Sequence, residues 1–226
     1  QVGSSWIAYF ADKGLLIPVD MSADDEEFLP AAMNFCYSKD PSVCYSVPWF
    51  LDLRVVHYLK KYFPEGRKSF ESFDSFKLAL SRIKGAIPFS MGSMNSWNSL
   101  HDLAPWIWAE GGEFIEDTVI PGLYKADWGG ASFKRAVSNI YELTENGLLD
   151  LVPGDRGRLA KDFISGKRAA LLIDGLVMDM AGAQVLKDVS IAAVPGGRAF
   201  MGGSGLSVTS FAKARGMEES AARLVL

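Results

Sequence analysis

Tryptophans beside polar side chains are the feature of this sequence that most directly suggests a chemistry. The chain has six tryptophans, and four of them adjoin polar or glycine-rich breaks. The apolar C–H face of a sugar ring stacks on an aromatic side chain, and the ring hydroxyls need carboxylate, amide or guanidinium partners to replace water. Trp49, Asp52 and Arg54 lie close together in the sequence. At the end of a strand they would converge on one small volume. The alternative is that Trp49 is a core residue and that Asp52 and Arg54 form a surface pair.

Further aromatic and amide groups come from Trp97, Asn98 and the segment Ala104–Gly112. Trp106 and Trp108 are two positions apart and cannot share one helix face, so one of them is expected to pack inward. The Gly111-Gly112 pair indicates a backbone that turns sharply or approaches another group closely.

Composition and motifs exclude several classes of protein. The 226 residues include 23 Lys and Arg against 27 Asp and Glu, a net charge of −4, with no basic stripe for a nucleic acid. No apolar run approaches the roughly 18 residues of a membrane span. Gly202–Leu206 lacks the last glycine of a G-x-S-x-G nucleophile motif. His57 and His101 have no ligand spacing around them. We therefore predict a non-enzymatic protein with no catalytic residue, metal or cofactor.

The two cysteines, Cys36 and Cys44, flank a turn-like segment at 38–42. Across a chain reversal they could meet in a disulfide, which would imply an oxidising compartment. The alternative is two buried thiols, and the sequence leaves both open.

Short apolar strands alternate with amphipathic helices, a pattern that predicts an α/β layer structure. The chain starts at what looks like the end of a strand and stops inside a helical pattern at 217–226, so we expect a fragment of a longer protein. Strands are predicted at Val43–Val47, Val55–Leu59, Ala86–Phe89, Ala169–Ile173, Val189–Val194 and Leu206–Ser210. Helices are predicted at Ser69–Lys84, Trp97–Ala109 (interrupted by Pro105), Ser132–Glu145, Leu159–Ile164 and Leu176–Met180.

Segments along nearly the whole chain resemble, in the same order, motifs of the extracytoplasmic sugar-binding proteins of ABC importers, the family related to maltose-binding protein. One departure is Asp174-Gly175-Leu176, which stands where many relatives have a stacking tryptophan. The resembling segments are Val2–Trp6, Asp12–Asp20, Val47–Leu59, Ser69–Phe73, Trp97–Gly112, Asp162–Leu171, Ser190–Gly197 and Phe200–Thr209.

The resemblance implies a periplasmic binding protein-like fold of type II, in which hinge strands join two α/β lobes and the ligand occupies the cleft between them. Residues 1–47 would then belong to a partial first lobe. Residues 48–203 would form an essentially complete second lobe with a hinge strand, and residues 204–226 would cross back into the first lobe.

The resemblance also implies a monomeric receptor, periplasmic or extracellular, that captures a mono- or oligosaccharide and delivers it to the permease subunits of an ABC transporter. A lipid anchor in a missing N-terminal segment remains open. The expected ligand contacts are Trp6, Trp49, Asp52, Arg54, Trp97, Asn98, Trp106 or Trp108, Gly112, Gly203 and Ser204.

Three alternatives remain open at the level of the sequence. The same fold could bind a non-sugar solute such as an amino acid, a polyamine or an anion. A glycoside hydrolase would need a carboxyl pair, and Asp52 with Glu110 or Glu113 is the plausible one. In a purely structural α/β module, every tryptophan would be a core residue.

Overall fold

The computed structural model of the chain describes residues 1–21, 28–38, 40–92, 99–117, 124–126 and 128–225. Within these ranges, no helix is long and apolar enough to span a bilayer. In chain order the strands are β1 (Val2–Gly3), β2 (Leu16–Ile17), β3 (Val47–Leu59), β4 (Phe89–Gly92), β5 (Ile115–Asp117), β6 (Tyr124–Ala126), β7 (Leu149–Val152), β8 (Ala170–Ile173), β9 (Val189–Ala192), β10 (Phe200–Leu206) and β11 (Val208–Thr209). The helices are α1 (Ser4–Asp12), α2 (Pro30–Met33), α3 (Phe73–Ser81), α4 (Ser99–Ala109), α5 (Ala131–Glu145), α6 (Arg156–Ile164), α7 (Leu176–Met180), α8 (Ala183–Leu186), α9 (Ser210–Ala214) and α10 (Glu218–Val225), with short 3-10 helices at Lys60–Tyr62 and Gly66–Phe70.

The chain forms two compact units. The first unit comprises Gln1–Asp52 with Met201–Leu226, and the second comprises Leu53–Phe200. The chain therefore passes between the units inside β3 and inside β10. The lobe boundaries expected from the sequence, 47/48 and 203/204, remain predictions, and Pro48 and Gly203 both lie within these strands.

The first unit is built on short antiparallel pairings. Strand β1 pairs with β10, with Val2 opposite Gly205, and β2 pairs with β11, with Ile17 opposite Val208. Beside them lies a small apolar core that includes Val19, Met33 and both cysteines.

Two glycines allow β10 to lie close to the start of β3 in the first unit. A Cβ atom added at Gly203 would lie 2.3 Å from the carbonyl oxygen of Phe50, and one at Gly205 would lie 2.0 Å from Ser46 Oγ. Gly203 also has φ +157°, a backbone conformation that side-chain-bearing residues rarely adopt. The local packing therefore requires glycine at both positions.

We expect Gly203→Ala to lower the free energy of unfolding by about 1–3 kcal/mol, because the new methyl group overlaps the backbone of β3. Urea unfolding monitored by circular dichroism measures this change. Gly175→Ala is the matched control, since a Cβ atom there meets no other atom within 4 Å. Equal unfolding midpoints for the two variants would show that this close packing does not constrain the strand.

The second unit is organised around a mixed sheet with strand order β9-β3-β8-β4-β7. Strand β3 runs antiparallel to β8 and β9, whereas β4, β7 and β8 run parallel. All four side chains of β8 are buried, which is typical of a strand covered on both faces. Alternate residues accordingly enter two cores: Ala170 and Leu172 pack in one, and Leu171 and Ile173 pack in the other. The predicted α/β layer structure is confirmed.

Several predicted elements differ from those observed. The strand expected at Val43–Val47 shares only Val47 with β3, which continues through Pro48 and includes the expected segment Val55–Leu59. The strand expected at Ala86–Phe89 begins at Phe89. Helix α4 continues through Pro105, which is buried inside it. Helix α3 begins at Phe73 because Ser72 caps it, its side chain accepting a hydrogen bond from the N–H of Ser75.

Candidate functional site

The carboxyl ends of the parallel strands in the second unit lie along one edge of the sheet. Gly92 of β4 is paired with Val152 of β7, and β8 runs in the same direction beside β4. Strand β3 runs the opposite way, and its residue Val55 lies opposite Ile173, the last residue of β8. Arg54 is therefore placed at the edge where the parallel strands end. In open α/β sheets, ligands commonly bind at such an edge.

Four charged side chains meet at this edge and form what we call the ion cluster (Arg54, Asp102, Arg156 and Asp174). Arg54 NH1 lies 2.5 Å from Asp174 Oδ2, and Arg54 Nε lies 3.9 Å from Asp102 Oδ1. Arg156 also reaches both carboxylates, at 3.0 Å from Asp174 Oδ2 and 3.6 Å from Asp102 Oδ2. Two cations face two anions, so the formal charges balance.

The members of the ion cluster differ in their access to water. Arg54 and Asp102 are 4% and 1% exposed, whereas the side chains of Arg156 and Asp174 retain 22% and 23% of their exposure. Burial tends to raise the pKa of Asp174, but the charges of Arg156 and Arg54 outweigh it and hold that pKa below its ordinary value. Asp174 is therefore an ionised acceptor that remains partly accessible.

Local structure fixes the position of each carboxylate. Asp174 directly follows β8, and its Oδ1 accepts a hydrogen bond of 3.2 Å from the N–H of Leu176. Asp102 lies in the first turn of α4, close to β4: a Cβ atom added at Gly92 would lie 2.9 Å from Asp102 Oδ2. Glycine at position 92 therefore makes room for the buried carboxylate.

An aromatic stack includes His101, which directly precedes Asp102 of the ion cluster on α4. The ring stack consists of His101, Phe200 and Trp108. The rings of His101 and Phe200 are nearly parallel with centroids 4.3 Å apart, and those of Phe200 and Trp108 are nearly parallel at 6.2 Å. The second unit thus has a flat apolar surface and also a set of charged side chains whose charges balance and which can form hydrogen bonds.

The prediction that Trp106 and Trp108 face different ways is confirmed. Trp106 is 2% exposed, and its ring lies in the core with Phe76 and Phe89. Trp108 is only partly buried. Of the two, Trp108 is the one whose position suits contact with a ligand.

In the first unit, two predicted ligand contacts are exposed tryptophans. Trp6 lies on α1, 54% exposed and stacked on Phe10, and Trp49 lies on β3, 62% exposed. These exposures exclude a purely structural module in which every tryptophan is a core residue. They also exclude the alternative in which Trp49 is a core residue. Asp52 is half-buried, and Ser204 is buried opposite Gly3.

In the second unit, the other predicted contacts have packing roles of their own. Arg54 belongs to the ion cluster, so the alternative of an exposed Asp52–Arg54 surface pair is wrong. Gly111 has φ +75°, and a Cβ atom at Gly112 would lie 2.8 Å from Ile107 Cγ2, so the glycine pair both turns and allows a close approach. Trp97 and Asn98 lie outside the described residues.

Glu110, one of the carboxylates considered for a glycoside hydrolase, forms its hydrogen bonds with side chains of α5. Its Oε2 accepts a hydrogen bond of 3.0 Å from Arg135 Nε, and its Oε1 accepts one of 2.9 Å from Asn139 Nδ2. These contacts anchor the end of α4 to α5 and disfavour Glu110 as a general acid or base. In the described ranges, no three or more His, Cys, Asp and Glu side chains are grouped to hold a metal ion.

Sequence reasoning did not assign five residues to the site: His101, Asp102, Arg156, Asp174 and Phe200. Two of them had a usable signal: Asp174 directly follows the buried strand β8, and Arg156 comes soon after β7, whose carboxyl end lies at the same edge. Phe200 had none, because its contact with His101 and Trp108 arises only in the folded unit.

Residues 1–222 match the family model of bacterial extracellular solute-binding proteins, and the chain belongs to that family. No curated protein matches the sequence. The family expected from the sequence motifs is thereby confirmed.

Solved structures of similar fold include several sugar-binding proteins. The GacH receptor of Streptomyces glaucescens, described unliganded and with acarbose, is 20% identical, with a TM-score of 0.75 over 99% of this chain and 59% of that one. The Thermus thermophilus maltotriose-binding protein bound to maltotriose is 20% identical, with a TM-score of 0.72 over 99% and 61%. UgpB of Mycobacterium tuberculosis, in complex with glycerophosphocholine, is 14% identical, with a TM-score of 0.75 over 99% and 59%. The chain therefore spans about 60% of the length of these proteins and shares their fold.

We expect Asp102→Ala to lower the free energy of unfolding by about 3–5 kcal/mol, because it removes one carboxylate facing the buried Arg54 guanidinium. Thermal or urea unfolding measures the loss. Glu219→Gln is the control, since its ion pair with Arg223 is almost fully exposed and should contribute almost nothing. Similar stabilities for the two variants would contradict a structural role for the ion cluster.

A pH effect is expected from His57, which lies on β3 and is 2% exposed. Burial lowers the pKa of its imidazole from 6.5 to about 4, despite the opposing influences of a hydrogen bond with the backbone of Val55 and of the charge of Asp174. The unfolded chain binds this proton more readily, so the stability should be full above pH 6.5 and fall by up to about 3 kcal/mol as the pH drops toward 4.

The measurement is the urea midpoint at pH 7 and pH 5 for the natural chain and for His57→Leu. The natural chain should lose stability at pH 5, and the variant should lose markedly less. His101 is present in both proteins and serves as an internal control. The same loss in both would show that His57 does not cause it.

Proposed function

We propose that the protein is a carbohydrate-binding receptor that captures a mono- or oligosaccharide and delivers it to a membrane ABC permease. The observation that supports this most directly is the ring stack beside the ion cluster at the carboxyl edge of the second unit. Aromatic faces offer apolar surface to the C–H groups of a sugar ring, and fixed charged groups can exchange hydrogen bonds with its hydroxyls.

The charge balance of the ion cluster favours a neutral solute. Asp174 is paired with Arg54 and Arg156, and Asp102 lies near the same two cations. A ligand with a net charge would find no uncompensated partner in this set, whereas hydroxyl groups can both donate to carboxylates and accept from guanidinium groups.

Different roles follow from the different exposures within the cluster. Asp174 and Arg156 are partly accessible and are the proposed partners of the sugar hydroxyls. Arg54 is buried and is proposed to position Asp174. The stacking surface is assigned to Trp108 with Phe200 and His101.

The remainder of the proposal rests on the family and on the resemblance of its motifs. It comprises closure of two lobes on the ligand, location outside the cytoplasmic membrane, delivery to permease subunits, and action as a monomer. Trp6, Trp49, Asp52, Gly203 and Ser204 remain predicted contacts on that basis. Closure of this kind is a population shift, in which a ligand that touches both lobes stabilises the closed state.

A non-sugar solute is the second candidate, and the fold similarity to a structure in complex with glycerophosphocholine favours considering it. Maltotriose, maltose and glucose should therefore be compared with glycerophosphocholine and a free amino acid. Isothermal titration calorimetry and thermal shift should detect binding of at least one sugar and of neither zwitterionic solute. Binding of glycerophosphocholine or the amino acid, and of no sugar, would overturn the sugar proposal.

We expect Trp108→Ala to weaken binding of the preferred sugar about tenfold, because a lost aromatic contact costs on the order of 1–1.5 kcal/mol. Tyr141→Ala is the matched control, as it removes an aromatic ring that is 63% exposed on α5. Circular dichroism confirms that both variants are folded. An unchanged affinity in Trp108→Ala would refute its assignment.

Incubation with aryl-glycosides distinguishes a receptor from a glycoside hydrolase. A receptor should release no aryl alcohol at any pH between 4 and 8. Turnover that survives further purification would overturn the receptor proposal.

A further inference from the structure

The two cysteines of the first unit are brought together by a tight chain reversal. The Tyr45 N–H donates a hydrogen bond of 2.8 Å to the carbonyl oxygen of Cys36, and Tyr37 is bridged to Cys44 in antiparallel fashion. The turn between them is fixed by Asp40, whose Oδ1 accepts hydrogen bonds from the N–H and the hydroxyl of Ser42 at 2.9 and 2.6 Å. The backbone therefore holds the two positions adjacent.

The two sulfur atoms are in contact inside the core. Cys36 is 0% and Cys44 7% exposed, both belong to the same apolar cluster, and their side chains hydrogen-bond to each other. The Cys44 thiol donates to the carbonyl oxygen of Ser46 at 3.1 Å, and the Cys36 sulfur also lies 3.5 Å from the carbonyl oxygen of Ala32. Both are free thiols in this structure.

We propose that Cys36 and Cys44 form a disulfide in the exported protein, closing the loop that ends just before β3. Membership of an extracellular family places the chain in a compartment where disulfides persist. The proposal concerns the first unit and is independent of what the protein binds.

The reaction is a thiol–disulfide exchange with an external disulfide oxidant, either a protein or a small molecule. The Cys44 thiolate attacks the oxidant, forms a mixed disulfide and expels one thiolate. Cys36 then loses its proton and attacks the Cys44 sulfur, and the second oxidant thiolate leaves. The two chain thiols are oxidised, and one disulfide is reduced to two thiols.

The environment of the pair suits this order of steps. The hydrogen bond from Cys36 lowers the pKa of Cys44 to about 7, despite its burial, and the same contact raises the pKa of Cys36. Cys44 is therefore the better nucleophile at neutral pH. Because both residues are buried, the exchange takes place during folding or on local opening of the exposed turn.

The test is intact-mass analysis of the chain exported to an oxidising compartment and purified without reductant, then denatured and treated with iodoacetamide. We expect a mass lower by two hydrogen atoms and no alkylation, and two alkyl groups after prior reduction. Alkylation of both cysteines without reduction would overturn the proposal.

A stability measurement tests the same bond independently. Reduction should lower the thermal unfolding midpoint of the natural chain by about 5–10 °C. The Cys36→Ser, Cys44→Ser double variant controls for other effects of the reductant and should not respond. An unchanged midpoint in the natural chain, or an equal fall in both proteins, would contradict a stabilising disulfide. None of these outcomes bears on sugar binding, which is measured separately.

Discussion

The guanidinium group of Arg54 is almost completely removed from water and faces the carboxylates of Asp102 and Asp174. A buried charge costs several kcal/mol unless its partners are held in place, so this contact constrains its surroundings. It requires β3 to lie beside the end of β8, α4 to begin close to β4, and glycine at position 92 to leave room for Asp102. The edge of the sheet is thus fixed by electrostatics as well as by apolar packing.

The proposed binding chemistry follows from the same constraint. Arg54 and Asp102 are too deeply buried to be the main ligand contacts, but they hold Asp174 and Arg156, which remain partly accessible. The first turn of α4 places His101 next to Asp102, and Phe200 joins His101 to Trp108. The unit therefore has fixed polar groups as well as a flat apolar surface. A sugar needs both, because polar groups must replace water at its hydroxyls and an apolar surface must cover its C–H face.

Sequence reasoning was most accurate where local pattern decides the structure. The apolar run that forms β8, the short helix α7 and the amphipathic helix α5 were predicted almost at their observed bounds. For α5 the signal is its apolar period and the Asn146-Gly147 end, and for β8 it is the unbroken apolar run. Because proline is rare inside strands, the first strand was predicted to stop at Val47, whereas β3 starts there and continues through Pro48 to Leu59. The spacing of Trp106 and Trp108 predicts that the two side chains face different ways, but it does not reveal which of the two rings packs in the core. The ion cluster and the ring stack unite residues far apart in the sequence, and only the fold brings them together.

The proposed function depends on a neutral sugar binding at the carboxyl edge of the second unit. A crystal structure of the chain with the tightest-binding sugar of the panel would show whether it does. We expect a sugar ring lying against the stack of His101, Phe200 and Trp108, with a hydroxyl within hydrogen-bonding distance of Asp174 or Arg156. A sugar bound elsewhere, with the ion cluster and the ring stack untouched, would rule out this binding site.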